Sequence, residues 1–139
     1  MITGIAHAAF AVSDLERTLD FYCRGLGLRE AFRLHRADGS VWIVYVQIRG
    51  LDFIEFFPGE GAPAPGAAPS YRHLALDVDD MAATLADIAT RGVHPERPAI
   101  QGKDGNWQAW LVDPDGNRIE LMQVMPDSPQ ARAGRRAPT

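Results

Sequence analysis

Two histidines and two glutamates stand at related places in this chain. His7 and Glu55 lie in its first half, His73 and Glu120 in its second. The histidines are 66 residues apart and the glutamates 65. Glu120 sits in "DPDGNRIELM", a Pro/Gly turn followed by an alternating apolar segment. A carboxylate inside such a segment faces water, pairs with a cation or binds a metal. Two imidazoles and two carboxylates suit one divalent first-row metal: Ni, Zn, Co, Fe or Mn. A cation so held can polarise two adjacent substrate oxygens, and a carboxylate beside it can move a proton.

The elements that must position these residues come in two copies. "HAAFAVSDLERTL" aligns with "HLALDVDDMAATL", placing His7 on His73, Asp14 on Asp80 and Thr18 on Thr84. "VWIVYVQIRGLDFIEFF" aligns with "NWQAWLVDPDGNRIELM", placing Trp42 on Trp107, Tyr45 on Trp110 and Glu55 on Glu120. Two matches in the same order at nearly one offset point to an internal repeat. Alternation and turn residues predict strands over 5–12, 28–36, 41–48 and 52–57 in the first copy. A helix is expected over 14–24, capped by Ser13 with Glu16 completing a capping box. In the second copy strands are expected over 71–78, 94–99, 106–112 and 117–124. Its helix is expected over 80–91, capped by Asp79 and ended by Gly92.

The fold class is therefore α+β. Tandem βαβββ modules, 1–58 and 70–125, form one domain with a cupped, mixed, mostly antiparallel sheet and helices on its outer face. A Gly/Pro/Ala-rich linker, 59–69, joins them, and residues 126–139 read as a mobile tail. Side-chain parity puts His7, Glu55, His73 and Glu120 on the strand face that the helices leave uncovered. Ala9, Ala75, Phe53, Phe57 and Met122 are their neighbours there, so a partly apolar, small-molecule pocket is expected. Asp77 shares the His73 face, as a partner to the site or as a solvated carboxylate. Trp42, Trp107 and Trp110 read first as packing, with some of them as pocket lining, His35 and His94 as surface groups, and Cys23 as packing rather than a nucleophile.

Composition narrows the function classes. Apolar residues make up 46% of 139, enough for a core. The net charge is −4, and the tail carries Arg132, Arg135 and Arg136 against Asp127, so the body is more acidic still. Such a body is a poor nucleic-acid binder. No apolar run reaches the length that spans a bilayer. The N-terminus lacks the basic start of a secretory signal, and one cysteine allows no intrachain disulfide. A cytoplasmic protein is expected.

Over 2–124 the chain resembles the vicinal oxygen chelate superfamily, the glyoxalase/bleomycin resistance/dioxygenase family. "HAAFAVSDLERTLDFYCRGLGLR" is similar to its first strand and helix, "YRHLALDVDD" to its fifth strand and "LVDPDGNRIELMQ" to its closing hairpin. The His/Glu/His/Glu order is most similar to glyoxalase I. That resemblance implies metal ligation by His7, Glu55, His73 and Glu120, and a homodimer whose site is completed across the subunit interface. It also implies that Glu120 is the catalytic base, with Glu55 its symmetric alternative. The implied activity is metal-assisted proton transfer next to a carbonyl, a lyase or isomerase step. Two positions depart from the bacterial glyoxalase I pattern: Ala11 replaces the Arg that holds the glutathione carboxylate, and Gly59 replaces an Asn. Strict glutathione dependence is therefore not expected. Ring-cleaving dioxygenases and fosfomycin-modifying transferases of the superfamily lack the carboxylate at Glu55. The alternative readings are a ligand-sequestering protein of the bleomycin-resistance type, which needs no metal ligands, and a ring-cleaving dioxygenase of the same superfamily.

Overall fold

Asp14 and Asp80 begin the two principal helices in the same way. In the computed structural model, which describes residues 5–59 and 72–136, each is an N-cap in extended conformation. Asp14 Oδ1 accepts from the Arg17 N–H at 3.1 Å, and Asp80 Oδ1 from the Ala83 N–H at 2.9 Å. Both caps stand one residue later than the sequence predicts, so Ser13 and Asp79 precede the caps. The expected Glu16 capping box is not the cap, since the third helical residue is Arg17.

The chain divides into two compact units, Met1–Ala68 and Pro69–Thr139, with the boundary inside the linker read from sequence. The first unit runs β1 (His7–Val12), α1 (Leu15–Leu19), β2 (Arg29–His35), β3 (Val41–Arg49) and β4 (Asp52–Pro58). After α1 the helix continues with wider π winding over Asp20–Gly25. The Leu26 N–H bonds back to the Phe21 carbonyl, and Gly27, at φ 77°, turns the chain into β2. The sheet order is β1-β4-β3-β2, with β1 parallel to β4 and the other pairs antiparallel. One face of this sheet packs on the helix. Tyr22, fully buried, meets Phe56 at 4.7 Å between ring centroids. Val44, Val46, Ile54 and Phe56 complete a core with no solvent exposure. Each such side chain contributes roughly 1.5–3 kcal/mol by leaving water.

The second unit repeats the plan with β5 (Leu74–Asp77), α2 (Met81–Ala89), β6 (Ile100–Gln101), β7 (Trp107–Val112) and β8 (Arg118–Gln123). The order is β5-β8-β7-β6, again with the first pair parallel. Ile88, Leu111 and Ile119 are its buried centre, and the Met81 N–H donates to Gln123 Oε1. Gly92, at φ 80°, ends α2, and Val93 N–H returns to the Ile88 carbonyl. The tandem α+β plan expected from sequence is thus present, each unit holding one mixed four-stranded sheet.

Three expectations are corrected. The strand expected over 94–99 is a bent segment that bonds Trp110 through the Glu96 N–H, and the ladder itself begins at Ile100–Gln101. Pro95 and Pro98 lack the N–H groups that a ladder needs. β5 begins at Leu74, so His73 precedes the strand instead of lying within it, and Tyr71 falls outside the described residues. The segment read as a mobile tail carries helix α3 (Pro129–Arg136). Ser128, buried, accepts from the Ala131 N–H through its hydroxyl. Asn106, also fully buried, anchors this region. Its amide donates to Gln130 Oε1 at 3.2 Å and to Asp104 Oδ2 at 2.9 Å, and its oxygen accepts from the Met125 N–H.

Candidate functional site

The register of each parallel pair sets the geometry. Ala9 stands opposite Glu55 across β1 and β4, and Ala75 opposite Glu120 across β5 and β8. A methyl side chain there leaves room above the carboxylate. His7 lies two residues before its alanine within β1, hence on the same face, and His73 stands just before β5, two residues ahead of Ala75. The imidazole then reaches diagonally to the glutamate. His7 Nδ1 lies 3.4 Å from Glu55 Oε1, and His73 Nε2 lies 3.0 Å from Glu120 Oε2. The carboxylates are buried, 7% and 4% exposed, whereas the imidazoles are 47% and 36% exposed. A buried glutamate whose near partner is an open imidazole is costly in a purely structural role.

The donor set and spacing fit a cation. Two ligands at about 2.0–2.2 Å from one metal and about 90–110° apart stand roughly 2.8–3.6 Å from each other. Both N···O separations lie in that range. The structure brings the four predicted residues together as two pairs. Among the described residues no group of three or more His, Cys, Asp or Glu stands at metal-holding spacing.

Electrostatics distinguish the second pair. Burial pushes the Glu120 carboxyl above its usual 4.5, with His73 lowering it and Asp104 raising it. A carboxylate raised in this way is a better proton acceptor. Burial, with Glu30 as a lesser cause, also pushes the Cys23 thiol up, so it stays protonated and unreactive.

Several site residues are not singled out by the pattern of ligand types. Tyr45 stands directly opposite Glu55, and Trp110 directly opposite Glu120. The repeat alignment already paired these two aromatics, and parity would have placed them on the glutamate face. Trp42 and Trp107 take the opposite parity. The Glu55 carboxylate across the ladder pushes the Tyr45 phenol's pKa up. Phe32 stacks on Tyr45 at 4.2 Å. A bulge between Glu30 and Phe32 shifts β2 by one residue and pairs Phe32 with Tyr45. Trp110 meets His73 edge-on at 4.9 Å, and the Arg118 guanidinium lies over its ring at 4.3 Å. Ala11 is exposed in β1 opposite Phe57.

Known proteins resemble this chain. Residues 4–121 match the family model described as Glyoxalase/Bleomycin resistance protein/Dioxygenase superfamily. The chain belongs to that superfamily. Among its members, the lactoylglutathione lyase of Escherichia coli O157:H7 is 30% identical over 123 residues, 86% of this chain and 91% of that protein. The lactoylglutathione lyase of Haemophilus influenzae is 30% identical over 131 residues, with the same coverages of 86% and 91%. A glyoxalase family protein from Enterococcus faecalis matches in structure with a TM-score of 0.71 at 26% identity, covering 86% of this chain and 97% of that one.

Proposed function

We propose that this glyoxalase-superfamily chain is a metal-dependent lyase or isomerase acting on small α-hydroxycarbonyl or α-dicarbonyl-derived compounds. One divalent cation (Ni, Zn, Co, Fe or Mn) is held by His7, Glu55, His73 and Glu120. The observation that carries this reading is the same buried glutamate beneath the same open histidine, at matching registers in both units. When bound, the cation supplies Lewis acidity toward adjacent substrate oxygens. Glu120 takes the proton from the carbon beside the carbonyl and returns it, its basicity raised by burial. Glu55 remains a ligand. The exposed imidazoles leave the substrate an approach to both carboxylates.

The relatives named lactoylglutathione lyase support an enzyme. Ala11 argues against a strict need for glutathione. The working form is a homodimer in the cytoplasm, with no nucleic-acid partner and no membrane partner. No helix among the described residues is long and apolar enough to cross a membrane. A second reading, a ligand-sequestering protein, draws on the exposed Phe32 stacked on Tyr45, an aromatic surface suited to a flat ligand.

The test is metal analysis after reconstitution. About one divalent ion per chain is expected in the wild type and almost none in a His7→Ala/His73→Ala double variant. A metal-free wild type, or full occupancy in the double variant, overturns the proposal.

A further inference from the structure

The two units carry the same His–Glu pair, but the residue facing each glutamate differs. Tyr45 and Trp110 occupy equivalent places, each directly across the ladder from the carboxylate. Their contacts are of different kinds. The Tyr45 ring is fixed between Phe32, stacked at 4.2 Å and 18°, and Phe53, edge-on at 6.2 Å. The ring and its hydroxyl share a face with Glu55, directly across the ladder. The Trp110 ring presents its plane edge-on to the His73 imidazole, at 4.9 Å and 82°. Its other contact is the Arg118 guanidinium, which is tied in turn to Glu96 at 3.5 Å. His73 needs such support more than His7 does. His7 is held in the β1–β4 ladder opposite Phe53, whereas His73 precedes the first paired residue of β5.

We infer that Tyr45 and Trp110 are positioning residues of opposite kind: Tyr45 holds the Glu55 carboxylate through its hydroxyl, and Trp110 holds the His73 imidazole through its ring. This rests on the metal-binding reading above. Because Tyr45 ties Glu55 down, the repeat's two-fold ambiguity about which glutamate is free to move resolves toward Glu120. Groups that orient metal ligands typically carry a 10- to 100-fold share of metal affinity.

Phenylalanine at each position separates the two kinds of support. Tyr45→Phe keeps the ring and removes the hydroxyl; Trp110→Phe keeps a ring edge; Trp110→Leu removes it. Arg118→Gln, at an exposed position, frees one face of Trp110 without touching the core. Apo-protein is titrated with Co²⁺, read by visible absorption and by competition with a chelator, and folding is checked by circular dichroism. Tyr45→Phe and Trp110→Leu are expected to lose about tenfold or more in Co²⁺ affinity, Trp110→Phe about twofold, and Arg118→Gln a few-fold. If Trp110→Leu does not fold, Arg118→Gln and Trp110→Phe carry the arm at Trp110. Wild-type affinity in Tyr45→Phe, or a tenfold loss in Trp110→Phe with no loss in Arg118→Gln, overturns this inference alone. Absence of Co²⁺ binding by the wild type overturns the metal reading and this inference with it.

Discussion

Glu120 lies under His73, against Trp110, with Asp104 close enough to raise its pKa further. Glutamine nearly matches its shape and cannot accept a proton. Turnover of an α-hydroxycarbonyl substrate by metal-loaded Glu120→Gln is therefore expected to fall roughly a hundredfold or more. A sequestering protein would return its ligand unchanged whichever residue stood there. The metal-free protein gives an independent sign. Folding raises the Glu120 pKa, so the folded state holds this proton more tightly than the unfolded chain. The stabilisation is fully present below the unfolded value near 4.5 and is lost as pH rises through the folded value. Denaturant titrations at pH 4.5 and pH 7.5 should show that loss in the wild type and a smaller one in Glu120→Gln. Equal pH dependence in the two would show that burial does not act on this carboxyl.

At the scale of the element, the repeat extends to how each helix starts. Asp14 and Asp80 are equivalent in sequence, and each accepts the N–H three residues on. Asp14→Ala and Asp80→Ala should each lower stability by about 1 kcal/mol in urea titrations, the usual cost of a lost N-cap. A midpoint unchanged from wild type would mean that the cap has been replaced by water at no cost. Helix α3 depends on its surroundings in a different way. Its own sequence, "PQARAGRR", has no apolar stripe. Its link to the unit runs through the buried Asn106 amide and the Ser128 cap.

For the whole molecule, each unit presents one His–Glu pair, and a four-ligand site requires two pairs. In the proposed homodimer, pairing across the interface would satisfy that requirement and use the sheet face that each unit's helix leaves open. Light scattering at micromolar concentration is expected to give the mass of two chains. A monomer of 15.2 kDa that still bound its metal would exclude the dimer and leave closure within one chain.

The sequence by itself determined the duplicated plan, because hydrophobic alternation, turn residues and capping acids all recur at one offset. It also determined the faces: strand parity is a period of two, so placing one apolar residue in the core places His7, Glu55 and Glu120 opposite it. Other features were decided only by tertiary structure. The bulge in β2 breaks the parity count and brings Phe32 onto Tyr45. The caps moved from Ser13 and Asp79 to Asp14 and Asp80, because two adjacent polar residues compete and backbone dihedrals choose between them. Residues 94–99 lost their strand to two prolines, and α3 formed where composition suggested a loose tail, because Asn106 holds Gln130. The inequivalence of the two glutamates had the same origin. Identical residues in equivalent strands acquire different chemistry from what stands across the ladder, a phenol in one unit and an indole with an arginine in the other.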